Sequence, residues 1–223
     1  QGPGKEFRDG DSLYYDGGWQ KGRKHGQGRF FAADGSSYDG QWQNDQYHGQ
    51  GTYAYVNGER YTGEFQQGLW HGTGSYFLKD DQLHYSGTWH EGQKHGKGTI
   101  HYSDGSSYEG EWQNDQPHGK GTYTYVNGHV YTGSFQNGDR HGTGQYLVEN
   151  GVLYYEGNWR GDQKHGQGAL YDEDGSKLYE GGFQHGLAAG IGKEFRQDGT
   201  PYYEGEFASG AKHGSGTFFT LNS

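Results

Sequence analysis

The chain has 223 residues and a formal net charge of −10, and Leu, Ile, Val and Phe together supply only 28 of them. This balance argues against an ordinary aliphatic core, and its sign argues against a nucleic-acid-binding surface. Cysteine is absent, so disulfides and thiolate zinc sites are excluded, and no apolar run approaches the ~18 residues of a membrane span.

Composition alone points to disorder, but 21 Tyr, 11 Phe, 6 Trp and 46 Gly recur at fixed places. Residues 1–14 read as a partial N-terminal repeat, because Gly2-Pro3-Gly4-Lys5-Glu6-Phe7-Arg8 parallels Gly190-Ile191-Gly192-Lys193-Glu194-Phe195-Arg196. Residues 15–223 then hold nine units, which start at Tyr15, Tyr38, Tyr61, Tyr85, Tyr108, Tyr131, Tyr155, Tyr179 and Tyr203. The spacing is always 23 or 24. A fixed period of this size means stacked supersecondary units, each too small to fold alone.

Each unit predicts strand, turn, strand, turn. Tyr-x-Gly-x-Trp/Phe alternates with period two, as a half-buried strand does. A spacer such as Lys21-Gly22-Arg23 or Asn44-Asp45-Gln46 carries turn chemistry. A second strand follows, for example Gly49-Gln50-Gly51-Thr52-Tyr53-Ala54-Tyr55, and Asn57-Gly58 or Asp104-Gly105 closes the unit. By parity, Tyr108, Gly110 and Trp112 share one face with Gly119, Gly121, Tyr123 and Tyr125, so rings lie over glycines that lack a Cβ. Where the spacing is 24, the connecting loop reads as longer, as at Lys79-Asp80-Asp81-Gln82 and Glu149-Asn150-Gly151. Residues 36–68 and 106–138 agree at 24 of 33 positions, which marks a duplicated three-repeat block. In the last two units Ala189 replaces a histidine and Phe195 breaks the strand parity, as in a terminal cap.

The expected fold is all-β: an elongated, curled and twisted single-layer antiparallel sheet of nine stacked β-hairpins. Two strands per repeat add about 10 Å, and the whole ribbon would run on the order of 90 Å.

Tyr85-Ser86-Gly87-Thr88-Trp89-His90-Glu91-Gly92-Gln93-Lys94-His95-Gly96-Lys97-Gly98 resembles the signature of MORN (membrane occupation and recognition nexus) repeats. The resemblance covers residues 15–223. It departs at Ala189, at Asp45, Asp115 and Asp162 in the turn, and where Phe65, Phe135, Phe183 and Phe207 replace Trp. It implies a single-layer sheet of hairpins and a scaffold or protein-binding module. Such modules are often homodimeric, often near cytoskeleton or membrane, and sometimes appended to a larger enzyme as a targeting module.

No catalytic constellation emerges. His25, His48, His71, His95, His118, His141, His165 and His213 form one column. Neighbours in it are about 10 Å apart, too far to share a zinc with bonds of roughly 2.0–2.1 Å, so no metal and no cofactor are expected. The carboxylates after the tyrosines, such as Asp16, Asp39 and Glu109, recur on a solvated face.

The expected binding surface is an aromatic groove formed by Trp42, Phe65, Trp89, Trp112 and Phe135, extended at one edge by Tyr47, Leu69 and Trp70. A single-layer sheet has no second layer to cover such a face. Its expected occupant is a protein partner, as a peptide or helix, or a second copy in a homodimer. The alternative is a peripheral membrane contact, with Lys24, Lys94, Arg140, Lys164 and Lys212 as an edge for anionic lipid heads. A glycan-binding reading is weakened by the lack of tandem aromatics and the presence of His-Gly-x-Gly. No nucleic acid and no small-molecule substrate are expected.

Overall fold

A computed structural model of the chain describes residues 2–8 and 12–220. The outer limits drawn from the sequence, Gln1 and Ser223, fall outside them. The described residues divide into two compact units, one reaching Tyr102 and including Trp112–Asp115, the other formed by Ser103–Glu111 and the residues from Gln116 onward.

The first unit contains β1 (Gly2–Arg8), β2 (Ser12–Gln20), β3 (Arg23–Phe31), β4 (Ser37–Gln43), β5 (Gln46–Ala54), β6 (Arg60–Gln66), β7 (Leu69–Phe77), β8 (Leu83–His90) and β9 (Gln93–His101). The division between the units falls within β10 (Ser107–Gln113). The second unit continues with β11 (Gln116–Thr124), β12 (Val130–Gln136), β13 (Asp139–Leu147), β14 (Leu153–Arg160), β15 (Gln163–Tyr171), β16 (Lys177–Gln184), β17 (Leu187–Phe195), β18 (Pro201–Ala208) and β19 (Ala211–Phe218). From β1 to β9 and from β11 to β19, each strand pairs antiparallel with the next. The fold is therefore all-β and built of hairpins, as the sequence pattern predicts. β1 meets β2 in the register in which β17 meets β18.

Each Tyr-x-Gly-x-Trp/Phe strand turns into its successor through two residues, both with positive φ: Asn44 (51°) and Asp45 (72°), for example, or Gln67 (52°) and Gly68 (84°). This is the primed turn whose twist matches that of the flanking strands. The second kind of connection spans five residues and closes on itself, as in Tyr55 N–H to Glu59 O at 2.8 Å. The same closure occurs at Leu78 N–H to Gln82 O, 2.8 Å, and Val148 N–H to Val152 O, 2.8 Å. The 24-residue repeats therefore do not have longer loops. Their additional residue sits in the strand as a β-bulge just before the tyrosine. Tyr76 faces Tyr85 while Phe77 faces Leu83, which leaves His84 as the extra residue. Tyr14, Tyr154, Leu178 and Tyr202 occupy the same position.

A second bulge interrupts the second strand at His-Gly-x-Gly. Gly63 faces Gly74, but Glu64 faces His71, so Gly72 and Thr73 are set outside the ladder. The first glycine of each His-Gly-x-Gly bends there with positive φ, +61° at Gly119. A Cβ on Gly119 would meet Glu111 Cδ at 2.7 Å, whereas one on Gly121 would meet Tyr108 Cε2 at 2.5 Å. Only Gly121 underlies a ring, so Gly119 does not belong to the aromatic face assigned to it by simple alternation. Residues such as Glu64 satisfy the bulge, accepting the Thr73 N–H at 3.0 Å. That bond, with the Thr73 hydroxyl second, holds the Glu64 carboxyl below the usual carboxylate range.

Candidate functional site: the ring face

The tyrosine that opens each repeat lies flat across two glycines. Tyr38 covers Gly40 of its own strand and Gly51 of the next, and its hydroxyl donates to Gln41 O at 2.8 Å. The same bond from a tyrosine to the carbonyl three residues on recurs from Tyr15 to Tyr203. This explains why the column is Tyr and not Phe. Burial pushes the Tyr15 and Tyr179 hydroxyls up to about 12.

The Trp/Phe column fills the intervals between these tyrosines. Trp42 stands edge-on to Tyr15 at 5.2 Å and to Tyr38 at 5.3 Å. Phe65 does the same between Tyr38 and Tyr61, both at 5.1 Å. Trp indole N–H groups donate to carbonyls of the preceding repeat, as in Trp42 to Gly28 O at 2.9 Å and Trp89 to Gly74 O at 3.1 Å. Edge-to-face packing of this kind is favourable beyond simple burial.

The residue before each column histidine forms a lid on this layer. Tyr47 stacks on Tyr38 at 4.0 Å, and Trp70 stacks on Tyr61 at 4.5 Å and 6° while meeting Trp89 edge-on at 4.8 Å. In five other repeats the lid is a cation: Lys24 Nζ lies 5.1 Å from the centre of Tyr15, Lys94 5.4 Å from Trp112, Arg140 4.4 Å from Trp159, Lys164 5.6 Å from Tyr155 and Lys212 5.5 Å from Tyr203.

This arrangement turns inward the side chains of both surfaces expected from the sequence. Trp42, Phe65, Trp89, Trp112 and Phe135 are only 3–5% exposed and form core rather than an open groove. The single layer covers its own rings, because tyrosine, tryptophan and lid close over one another. The cations Lys24, Lys94, Arg140, Lys164 and Lys212 turn inward over rings instead of lining an outward edge for lipid heads. Four of them also have carboxylate partners, Lys24 with Glu6, Lys94 with Asp115, Arg140 with Asp162 and Lys212 with Glu194. Of the expected edge contacts, Tyr47 and Trp70 are half-buried on their neighbours, and only Leu69, 49% exposed, is free of the layer.

The exposed part of the ring face lies elsewhere. The bulge residues Tyr154, Leu178 and Tyr202 occupy one column on three consecutive repeats and are 40–41% exposed. The bulge re-aims a side chain that strand alternation would send to the opposite face. Tyr154 accordingly meets Tyr146 at 6.3 Å and lies 5.2 Å beneath Lys164 Nζ, while Tyr202 meets Phe218 at 5.6 Å. A shallow pocket of about 280 Å³ adjoins this patch, lined by Arg140, Tyr146, Tyr154, Trp159, Lys164 and Gly186 among others. The sequence signal for this surface was the 24-residue spacing, which marks where a bulge residue is inserted.

Among the described residues no group of three or more His, Cys, Asp or Glu is placed to hold a metal ion. No helix among the described residues is long and apolar enough to cross a membrane.

A stack of self-covering β-hairpins with one tyrosine, one large aromatic and one lid per unit defines a β-hairpin repeat protein. The MORN repeat family matches residues 15–37, 38–60, 61–81, 85–107, 108–130, 131–152, 155–177, 179–200 and 203–219, and the chain belongs to that family. A search of curated proteins finds no match. Among solved structures, the chain is similar to the SAS-4 (dCPAP) TCP domain of Drosophila melanogaster in complex with a proline-rich motif of Ana2 (dSTIL). The identity is 10% over 68% of this chain and 81% of that chain, with a TM-score of 0.41, and the likeness carries no argument.

Proposed function

We propose that the protein is a non-enzymatic repeat scaffold that binds a protein partner on the ring face of its last repeats. The observation that carries this reading is the column Tyr154, Leu178 and Tyr202, exposed on consecutive repeats whose Trp159, Phe183 and Phe207 are buried. Partly exposed aromatic and aliphatic side chains beside cations are the usual anchors of a protein interface. An extended peptide segment laid across consecutive first strands would meet one anchor per repeat, about 10 Å apart. The membrane alternative loses its motivating edge, because the lid cations face rings.

Panning a displayed peptide library against the full chain tests the reading. Wild-type protein is expected to enrich a related set of peptides. The combined Tyr154→Ser, Leu178→Ser and Tyr202→Ser variant is expected to lose them while keeping its thermal midpoint within a few degrees. Val56→Ser with Val126→Ser, at residues 70% exposed away from this column, is expected to retain them. Peptides held equally by the triple variant would remove the patch from the site.

A further inference from the structure

We infer that the pocket at Lys164 receives a carboxylate from the bound segment, an Asp or Glu side chain or a chain terminus flanked by apolar residues. This deepens the partner-binding reading above and rests on it.

The chain supplies the comparison internally. Three other lid cations are each followed, 21 or 22 residues on, by an aspartate at the second turn position of the next repeat. Asp45 Oδ1 accepts the Lys24 amide at 2.8 Å, Asp115 Oδ1 that of Lys94 at 2.9 Å, and Asp162 Oδ1 that of Arg140 at 3.0 Å. Two of these carboxylates also pair with the lid's own charge, Asp115 with Lys94 Nζ at 3.4 Å and Asp162 with Arg140 Nε at 2.9 Å. The position equivalent to those aspartates after Lys164 is Gly186. Its N–H makes the usual turn bond to Lys164 O at 3.0 Å, so the backbone frame is the same. A Cβ built on Gly186 meets nothing within 4 Å, and Gly186 lines the pocket.

Lys164 is thus a lid cation without its carboxylate. Its ammonium lies 5.2 Å from the centre of Tyr154, 5.6 Å from Tyr155 and 5.8 Å from Phe183. No carboxylate lies within ion-pair distance of it among the described residues. Burial holds its pKa below the ordinary lysine value. A half-desolvated cation is costly unless it is paired, and an incoming anion offsets that cost. The pocket favours a carboxylate over a phosphate. Arg140 on its wall is already neutralised by Asp162, so a dianion would meet one unpaired cation and one fixed negative charge. Tyr154 and Tyr146 supply the apolar wall for the residues that flank the acid.

Gly186→Asp is the discriminating variant, because the chain already carries Asp at this turn position with φ of 63–72°. It is expected to place its own carboxylate against Lys164, keep or raise the thermal midpoint, and weaken acidic peptides by about tenfold or more, the size of one charged hydrogen bond. Lys164→Gln is expected to weaken them likewise. Peptides enriched by the wild-type chain are expected to carry Asp, Glu or a free C-terminus at one fixed position. Enriched peptides without an acid, or acidic peptides that bind Gly186→Asp as they bind wild type, would overturn the proposal while leaving the partner-binding patch standing. Displacement of the peptides by inorganic phosphate but not by equal acetate would also overturn it, as would a wild-type dimer that Gly186→Asp splits. If panning enriches nothing, the partner-binding reading fails, and acetate titration followed at the Lys164 and Gly186 amide resonances decides the pocket separately. Saturable shifts that vanish in Gly186→Asp support a carboxylate site, and an absence of shifts overturns it.

Discussion

At the scale of the residue, the structure rests on tyrosine laid over glycine. A Cβ on Gly51 would lie 2.6 Å from Tyr38 Cε2, and the ring has nowhere to retreat because its hydroxyl is tied to Gln41 O. Gly51→Ala is therefore expected to cost roughly 1–3 kcal/mol by overpacking. Gln50→Ala, one residue earlier on the exposed face, is expected to cost within about 0.5 kcal/mol. Chemical denaturation of the two variants checks this, and equal tolerance would show that the ring does not lie as described. The same logic orders the aromatic columns. Phe replaces Trp at Phe65, Phe135, Phe183 and Phe207, where only the indole N–H bond is given up, whereas every repeat keeps its tyrosine hydroxyl. The lid column tolerates Lys, Arg, Tyr, Trp, Pro and Ala because it needs only to cover a ring, by stacking, by a cation or by bulk.

At the scale of the element, two bulges turn a plain hairpin into this repeat. The one before the tyrosine is optional: repeats opening at Tyr38, Tyr61 and Tyr131 lack it, and those opening at Tyr15, Tyr85, Tyr155, Tyr179 and Tyr203 have it. Deleting Tyr154 is therefore expected to yield a 23-residue repeat that still folds, with a thermal midpoint within a few degrees of wild type, and to weaken peptide binding. Deleting His84 is expected to spare the binding. Collapse of both deletion variants, read by circular dichroism melting, would mean that the bulges are needed for folding. Strand order, turn positions and the Tyr, Trp and second Gly columns were legible in the sequence, because each follows from period two and turn chemistry. The bulges were not. Alternation assigns Gly119 to the ring face and sends residue 154 to the far face; the two-residue bulge at His-Gly-x-Gly undoes the first assignment and the single inserted residue undoes the second. The inward course of Lys94 and Arg140 was equally hidden, since a cation beside a turn reads as an exposed charge. The signal present was their spacing to Asp115 and Asp162 in the following turns.

At the scale of the whole molecule, the repetition of one buried tyrosine per unit gives the protein a distinctive response to alkali. Burial is the leading cause that raises the pKa of Tyr15, Tyr38, Tyr61, Tyr85, Tyr131, Tyr155 and Tyr179. The unfolded chain ionises its tyrosines near pH 10, while the folded chain holds these protons to higher pH, about 12 for Tyr15 and Tyr179. A group with a raised folded pKa stabilises the fold fully below its unfolded value, and that contribution is lost as pH rises through the folded value. The thermal midpoint is therefore expected to be nearly level between about pH 7 and 9 and to fall from about pH 10 upward, with many sites contributing to one steep slope. Tyr131→Phe separates this from general alkaline damage. It removes one ionisable group and the hydroxyl bond to Ser134 O, 2.9 Å, at a cost of about 1 kcal/mol near neutrality. The variant starts less stable and is expected to lose stability less steeply above pH 10, since one proton fewer is released on unfolding. Tyrosinate absorbance recorded through the transition is expected to rise together with the loss of β-sheet signal. Ionisation of most tyrosines before that signal is lost would show that the ring layer opens to hydroxide without unfolding, contrary to a core in which each ring is closed in by its neighbours.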